Sequence, residues 1–138
     1  MDYKLELVLL PVSDVDRAKA FYEGLGFHLD VDHHAGDEFR VIQFTPSGSA
    51  CSIAFGIGIS KAEPGSVQGI HLIVKDITAA RDELVDRGVE VSEIRHMTPE
   101  GWKPGVDPDH ARYNSFADFA DPDGNTWVLQ EVDYEAAE

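Results

Sequence analysis

"VSDVDRAKAFYEGLGFHL", residues 12–29, is written a second time as "VKDITAARDELVDRGVEV", residues 74–91, and this repetition decides the fold. Aligned at an offset of 62 residues, the two stretches and their flanks share Leu10/Leu72, Val12/Val74, Asp14/Asp76, Ala18/Ala80 and Gly26/Gly88. Apolar pairs fill the gaps: Val8/Ile70, Val15/Ile77, Tyr22/Leu84, Phe27/Val89 and Leu29/Val91. Val8, Leu10 and Val12 alternate with the period of a strand, whereas Val15, Ala18, Tyr22 and Leu25 recur with the period of a helix. Asp14 and Asp76 stand where a carboxylate accepts the free N–H groups of a first helical turn. Gly26 and Gly88 then end the helices, because glycine adopts the left-handed conformation that closes them.

Working outward, strand-like runs follow each helix. They are "FHLDVD" (27–32), "EFRVIQF" (38–44) and "CSIAFGI" (51–57) in the first copy, and "VEVSEI" (89–94), "NSFADFA" (114–120) and "NTWVLQEV" (125–132) in the second. "TPSG" (45–48) and "DPDG" (121–124) supply matching Pro-Gly turn chemistry before the last strand of each copy. The plan is therefore β-α-β-β-β written twice, an α+β chain whose tandem βαβββ modules curve into a cup-shaped mixed sheet. We expect a single domain over residues 1–138, with module 1 at about 1–57, a Gly/Pro/Ser-rich linker at 58–66, module 2 at about 67–132 and a frayed tail at 133–138. "HMTPEGWKPGVDPDHARY" (96–113) belongs to the second copy alone, and an unpatterned loop of that length suits a lid or a binding loop.

A sheet with one helix on one face leaves its other face open, and strand parity says which side chains lie there. If Val8, Leu10 and Val12 face the helix, Leu7 and Leu9 face the cavity; the second copy then places Gly69, His71 and Ile73 there. Trp127 and Leu129 are the larger apolar residues of the last strand, which assigns Thr126, Val128 and Gln130 to the cavity. His71 is the candidate catalytic base, weighed against a structural histidine satisfied by a single bond of each kind. Gln130 reads either as a ligand hydrogen-bonder or as a polar rim residue. Trp102 and Tyr113, aromatic in a Gly/Pro-rich loop without a regular element to pack on, read as a cover for the cavity mouth or as loop anchors. His33 and His34 point to opposite sides of a strand end, and His96, Glu100, Asp107, Asp109 and His110 match no ligand spacing, so they read as solvated loop charge. The parity of Arg40 and Gln43 stays open.

Composition removes several function classes. Lys plus Arg number 11 against 26 Asp plus Glu, a net charge of −15 that opposes a phosphate backbone or an anionic lipid surface. Nucleic acid and membrane are not expected partners, whereas a cationic small molecule is compatible. No apolar run reaches the roughly eighteen residues of a membrane span, and the N-terminus lacks the marks of a signal peptide, so a cytoplasmic protein is expected. The lone Cys51 excludes an internal disulfide and reads as a small buried residue. No nucleophile elbow, P-loop or HExxH is present.

"LVLLPVSDVDRAKAFYEGLGF" (7–27) and "FADPDGNTWVLQE" (119–131), together with the repeat, resemble the vicinal oxygen chelate superfamily, which groups glyoxalase I, bleomycin-resistance proteins, fosfomycin-resistance enzymes and extradiol dioxygenases. The resemblance covers nearly the whole chain and implies the cup-shaped fold and a homodimer. In metal-dependent members it also implies a divalent ion held by His or Glu on the first and last strands of the modules, acting as a Lewis acid. Carried over residue by residue, those ligand positions fall on Leu7, Gly69, Ser52 or Ile53, and Val128, and none is a usual ligand. The first expectation is therefore a cofactor-free, small-molecule binding protein resembling the antibiotic-sequestering members. Its cup, lined by Leu7, Leu9, Ser52, His71, Ile73, Val128 and Gln130, suits a hydrophobic or cationic ligand. The alternative is a glyoxalase-like lyase or isomerase that uses a non-standard metal site or His71 as base. A scaffold with no ligand is the third reading.

Overall fold

The computed structural model describes residues 1–138. Its contacts gather into two compact units, Met1–Val67 with Asp121–Asn125 and Gln68–Ala120 with Thr126–Glu138, each built on one sheet.

The first unit runs β1 (Leu7–Leu9), α1 (Val15–Gly24), β2 (His28–His34), β3 (Arg40–Thr45) and β4 (Ser52–Ile57). Its sheet has the order β1-β4-β3-β2, with β1 parallel to β4 and the other pairs antiparallel. Asp14 caps α1 by accepting the Arg17 N–H at 3.0 Å, and Gly26 at φ +87° closes it, as the repeat predicts. The register sets Val8 beside Ile53, Ile53 opposite Phe44 and Phe55 opposite Ile42, all on the face that carries α1. Tyr22 of α1 drops onto that face, its ring centroid 5.6 Å from Phe55 and 6.1 Å from Phe44, and all three are fully buried. Side chains of this kind each contribute about 1.5–3 kcal/mol by leaving water.

The turn Asp121–Asn125 completes this core although it belongs to the second copy of the repeat. Asp121 accepts the Tyr22 hydroxyl at 2.9 Å, and the Asn125 amide donates to the Pro11 carbonyl at 2.9 Å. Arg40 lies on the helix side, fully engaged: it donates twice to Asp32, at 3.0 and 3.1 Å, and once to Asp16 at 2.8 Å. This settles the parity that periodicity leaves open, since Gln43 then faces the other way, beside Ala54.

The second unit runs β5 (Ile70–Val74), α2 (Ile77–Asp86), β6 (Arg95–Thr98), β7 (Gly101–Pro104), β8 (Phe116–Ala120) and β9 (Thr126–Glu131), in the sheet order β5-β9-β8-β6-β7. Asp76 caps α2 through the Ala79 N–H at 3.1 Å, and Gly88 at φ +89° follows it. In three places this unit departs from the sequence reading. Residues 89–94 form no strand, because the Arg81 guanidinium takes the carbonyls of Ser92 at 2.7 Å and Val91 at 3.2 Å and so replaces a ladder partner. The first half of the expected loop 96–113 is instead the β6–β7 hairpin, which adds a fifth strand. The tail is not frayed: the Glu135 N–H donates to Lys75 O at 2.9 Å, the Ala137 N–H to Asp76 Oδ2 at 3.0 Å, and Tyr134 stacks on His110 with centroids 3.6 Å apart. Cys51 is half-buried rather than buried. No helix is long and apolar enough to cross a membrane.

Candidate functional site

Each sheet keeps one face free of its helix, and the register states which side chains occupy it. In the second unit His71 pairs with Val128, Ile73 with Gln130, Gln130 with Phe116, Phe116 with Arg95, and Met97 with Trp102. These residues share the face opposite Leu72, Trp127 and Leu129, which pack toward α2. Trp102 therefore stands in β7, not in an irregular loop, and meets Phe116 edge-on with centroids 5.5 Å apart. The Arg95 guanidinium lies 5.2 Å from the Trp102 ring and 5.6 Å from Phe116, while Asp118 on the same face takes two of its N–H groups at 2.6 and 3.3 Å. A guanidinium neutralised in this way is a flat, weakly hydrated surface that continues the aromatic one. Ile73, Met97 and Trp102 remain 54%, 43% and 53% exposed. Apolar side chains this open along one sheet face make a patch of the sort that takes a ligand or a partner.

His71 is exposed, and its Nδ1 lies 2.7 Å from its own Gly69 carbonyl. A carbonyl only accepts, so the proton of the neutral ring sits on Nδ1 and Nε2 carries the lone pair. Gln130 spends its amide on the Tyr113 carbonyl at 3.0 Å, which leaves it a positioning group for the chain at 113 more than a free ligand donor. Tyr113, half exposed at φ +65°, is held by its N–H to the Glu131 carbonyl at 2.9 Å and lies under the Arg112 guanidinium at 5.3 Å.

In the first unit Leu7 and Leu9, each 40% exposed, share the free face with Ala54, Gln43 and Val31. Ser52 is on this face but buried, its hydroxyl 2.6 Å from that of Thr45. The ladders also correct one assignment. Leu9 pairs with Ala54 as His71 pairs with Val128, so the first-unit counterpart of Val128 is Ala54, not Ser52 or Ile53. Leu7, Gly69, Ala54 and Val128 offer no donor to a divalent ion, and no three His, Cys, Asp or Glu side chains come together to hold one. The family-type ion does not fit these residues.

Of the polar residues of 96–113, His96, Asp107 and His110 are scaffold rather than solvated charge, whereas Glu100 and Asp109 are exposed, as the sequence predicts. His96 is buried with Nδ1 at 2.7 Å from Gly105 O, and Asp107 is buried against the Asn114 amide at 2.9 Å and the Asp109 N–H at 3.0 Å. Those two contacts, the Asn114 amide first, hold the Asp107 carboxyl below its ordinary range. His110 Nδ1 meets the buried Glu131 carboxylate at 2.6 Å, and Glu100 pairs with Lys103 at 3.3 Å. His33 and His34 project from opposite sides of β2, as alternation requires. Sequence reasoning passed over Arg95, Met97, Phe116 and Asp118. The alternation in "NSFADFA" carries the last two, whereas a strand expected at 89–94 hides Arg95 and Met97.

Comparison with known proteins agrees with this architecture. A family model described as the Glyoxalase/Bleomycin resistance protein/Dioxygenase superfamily matches residues 4–129. TnmS3, an antibiotic binding protein from Streptomyces sp. CB03234, is 31% identical with a TM-score of 0.72, the match covering 95% of this chain and 97% of TnmS3. A glyoxalase/bleomycin resistance protein from the same Streptomyces is 32% identical with a TM-score of 0.69 over 92% of this chain and 99% of that one. The Bacillus subtilis (strain 168) protein YetH, itself uncharacterized, is 25% identical over 126 residues, which are 90% of this chain and 94% of YetH.

Proposed function

The chain belongs to the glyoxalase/bleomycin resistance protein/dioxygenase superfamily, and from that premise we propose that it captures a hydrophobic, flat organic molecule without chemically changing it. The observation that carries this reading is the free face of the second sheet. There Trp102 and Phe116 stand beside a guanidinium already neutralised by Asp118, with Ile73 and Met97 open to solvent. Such a surface gains affinity from apolar burial, at roughly 25 cal/mol per Å² less the cost of ordering the ligand, and from stacking. The likeness to TnmS3, an antibiotic binding protein, supports a natural product as the ligand class. The charge of −15 favours the approach of cationic members of that class through the long-range field.

The chain carries its own reporter. Trp127 is buried at 1% exposure, so quenching of the more open Trp102 reads occupancy of the free face. Titration with polycyclic natural products should quench part of the tryptophan emission in wild type and leave Trp102→Phe unresponsive. If no such compound quenches or raises the melting temperature, the reading is wrong.

One observation favours a second reading, in which His71 is a general base: its Nδ1 proton is fixed on the Gly69 carbonyl and the residue is exposed. No carboxylate orients this ring. Turnover of a glyoxalase-type substrate that disappears in His71→Gln supports the second reading, and stoichiometric divalent metal lost in His71→Ala overturns both the capture reading and the metal-free base.

A further inference from the structure

The strands carry carboxylates at Asp30, Asp32, Asp118 and Glu131, and their partners differ. Asp32 takes Arg40 and Lys19, Asp118 takes Arg95, and Glu131 meets His110. Asp30 has no basic group at hydrogen-bond distance; the one near it is the exposed His28, whose Nε2 stands 3.6 Å from Oδ1. The donors to Asp30 are neutral, the Thr45 hydroxyl and the Gln43 amide at 3.4 Å, and both fall on Oδ2. Oδ1 therefore accepts no hydrogen bond from the chain, although the side chain is only 24% exposed.

The fold itself turns Asp30 this way. β2 shifts register between Leu29 and Val31, and a bulge of this kind re-aims the side chains beside it. In a regular strand Asp30 and Asp32 would share a face. Here Asp32 reaches Arg40 on the helix side, while Asp30 turns to Thr45 and Gln43 on the free face of the first sheet. On that face Leu7 pairs with Ser52, whose hydroxyl meets Thr45, and Leu9 pairs with Ala54, which pairs with Gln43. The surface therefore passes from the open, apolar Leu7 and Leu9 on β1, over two small residues on β4, to a carboxylate on β2. Three strand spacings, roughly 14 Å, separate its ends. A carboxylate only accepts, so the Thr45 proton goes to Asp30, and the proton between Ser52 and Thr45 comes from Ser52. Both hydroxyl dipoles point at Asp30 and orient it without supplying a positive charge.

We propose that this face is a binding site for a protonated primary amine on an extended apolar body, the ammonium donating to Asp30 Oδ1 and the hydrocarbon lying over Ser52 and Ala54 toward Leu7 and Leu9. An ammonium is a compact charge with three donors, which suits one free carboxylate oxygen, whereas a flat ring suits Trp102 and Phe116. The site stands on the first unit alone and does not rest on the capture reading. Its test is an amide NMR titration of the full chain with n-octylammonium chloride and with 1-octanol. The proteins are wild type, Asp30→Asn, and Asp37→Asn, which removes the same charge from the turn between β2 and β3. Octylammonium should shift the amides of residues 28–32 and 43–45 and bind wild type about fivefold more tightly than octanol, the gain of one ion pair at a partly open site. Asp30→Asn keeps an oxygen for the Thr45 hydroxyl, so it should retain the dispersed amide spectrum of a folded chain and lose that preference. Asp37→Asn should keep it. No shift at residues 28–32 and 43–45 by about 3 mM amine, a concentration above a millimolar dissociation constant, overturns the proposal. So does octanol binding wild type as tightly as the amine, or a preference that survives Asp30→Asn. A preference that falls equally in Asp37→Asn also overturns it and assigns the effect to the long-range field of a chain of charge −15. Failure of the capture reading shows separately, as polycyclic compounds that quench no tryptophan emission.

Discussion

The two helices were written to one plan and ended in different surroundings. In α1, Ala18 and Tyr22 are fully buried; in α2 the corresponding Ala80 and Leu84 are only half-buried, and Ile77 is the one fully buried residue. The first copy spends its aromatic residues on the helix side, where Tyr22 lies against Phe44 and Phe55 and is tied through its hydroxyl to Asp121. The second also stacks Phe119 on Trp127 on the helix side, but turns Phe116 and Trp102 to the free face. The repeat thus gives two backbones of one kind, of which one is the better-packed body and the other carries the open aromatic face on which the proposed capture rests. The largest test of that division is a pair of deletions. Phe55→Ala should cost about 3–5 kcal/mol in urea unfolding, while Leu84→Ala, at the weaker contact, should cost about 2 or less. Equal losses would abolish the distinction.

A second difference concerns a buried charge. Glu131 ends β9 with its carboxylate 1% exposed as a residue, accepting the Ile77 N–H at 3.0 Å and meeting His110 at 2.6 Å, so it closes the start of α2 from beneath. The matching position at the end of β4 is Ile57, apolar and 43% exposed. Removing a buried charged acceptor strands its donors, which costs about 1.5–3 kcal/mol. Glu131→Ala should therefore lower stability by that amount, and Ile57→Ala by well under 1 kcal/mol for an exposed site. Thermal unfolding of the two variants side by side checks it, and a costlier Ile57→Ala would reverse the assignment.

The third prediction separates function from stability within the second unit. Trp102→Ala removes an exposed ring, so unfolding should shift by about 0.5 kcal/mol, within the range of surface substitutions. Affinity for a stacking ligand should fall by roughly tenfold, about 1.4 kcal/mol. Calorimetric titration of a compound found by tryptophan quenching measures the loss. A variant that binds as well as wild type would move the ligand off this face.

How much of this could be read beforehand follows from which interactions are local. The caps at Asp14 and Asp76, the stops at Gly26 and Gly88 and the parity of Leu7, Leu9, His71, Ile73 and Val128 depend on a few neighbouring residues, and all were legible. The second copy lost legibility where a side chain distant in sequence replaced a ladder. Arg81 satisfies the carbonyls of Val91 and Ser92, so an apolar alternation that reads as a strand forms none, and the true strands begin at Arg95. That displacement hid Arg95 and Met97 and left Trp102 looking unanchored. The tail was misread for a similar reason, since its anchor is the stack of Tyr134 on His110 together with the second oxygen of Asp76. Composition alone shows neither.

That second oxygen gives the finest test of the comparison. Asp14 and Asp76 are equivalent caps, each accepting one N–H of the first turn, and on that account alone either change to Ala should cost about 1 kcal/mol. Asp76 additionally accepts the Ala137 N–H at 3.0 Å, and the Ala137 and Ala79 N–H groups, in that order, hold its carboxyl below the ordinary value of 3.8. A carboxyl whose pKa is depressed on folding stabilises the folded state above its unfolded value, and that stabilisation is lost as pH falls through the folded value. Asp76→Ala should thus cost more than Asp14→Ala near neutrality, by a few tenths of a kcal/mol for one exposed hydrogen bond to the end of the chain. The cost should shrink as pH falls below 3.8, because wild type then loses what the variant already lacks. Urea unfolding of both variants at pH 7 and near pH 3 measures this, and deletion of residues 136–138 should bring the two costs together. An Asp76→Ala cost that stays constant into acid would mean that the carboxylate's charge contributes nothing to holding the tail.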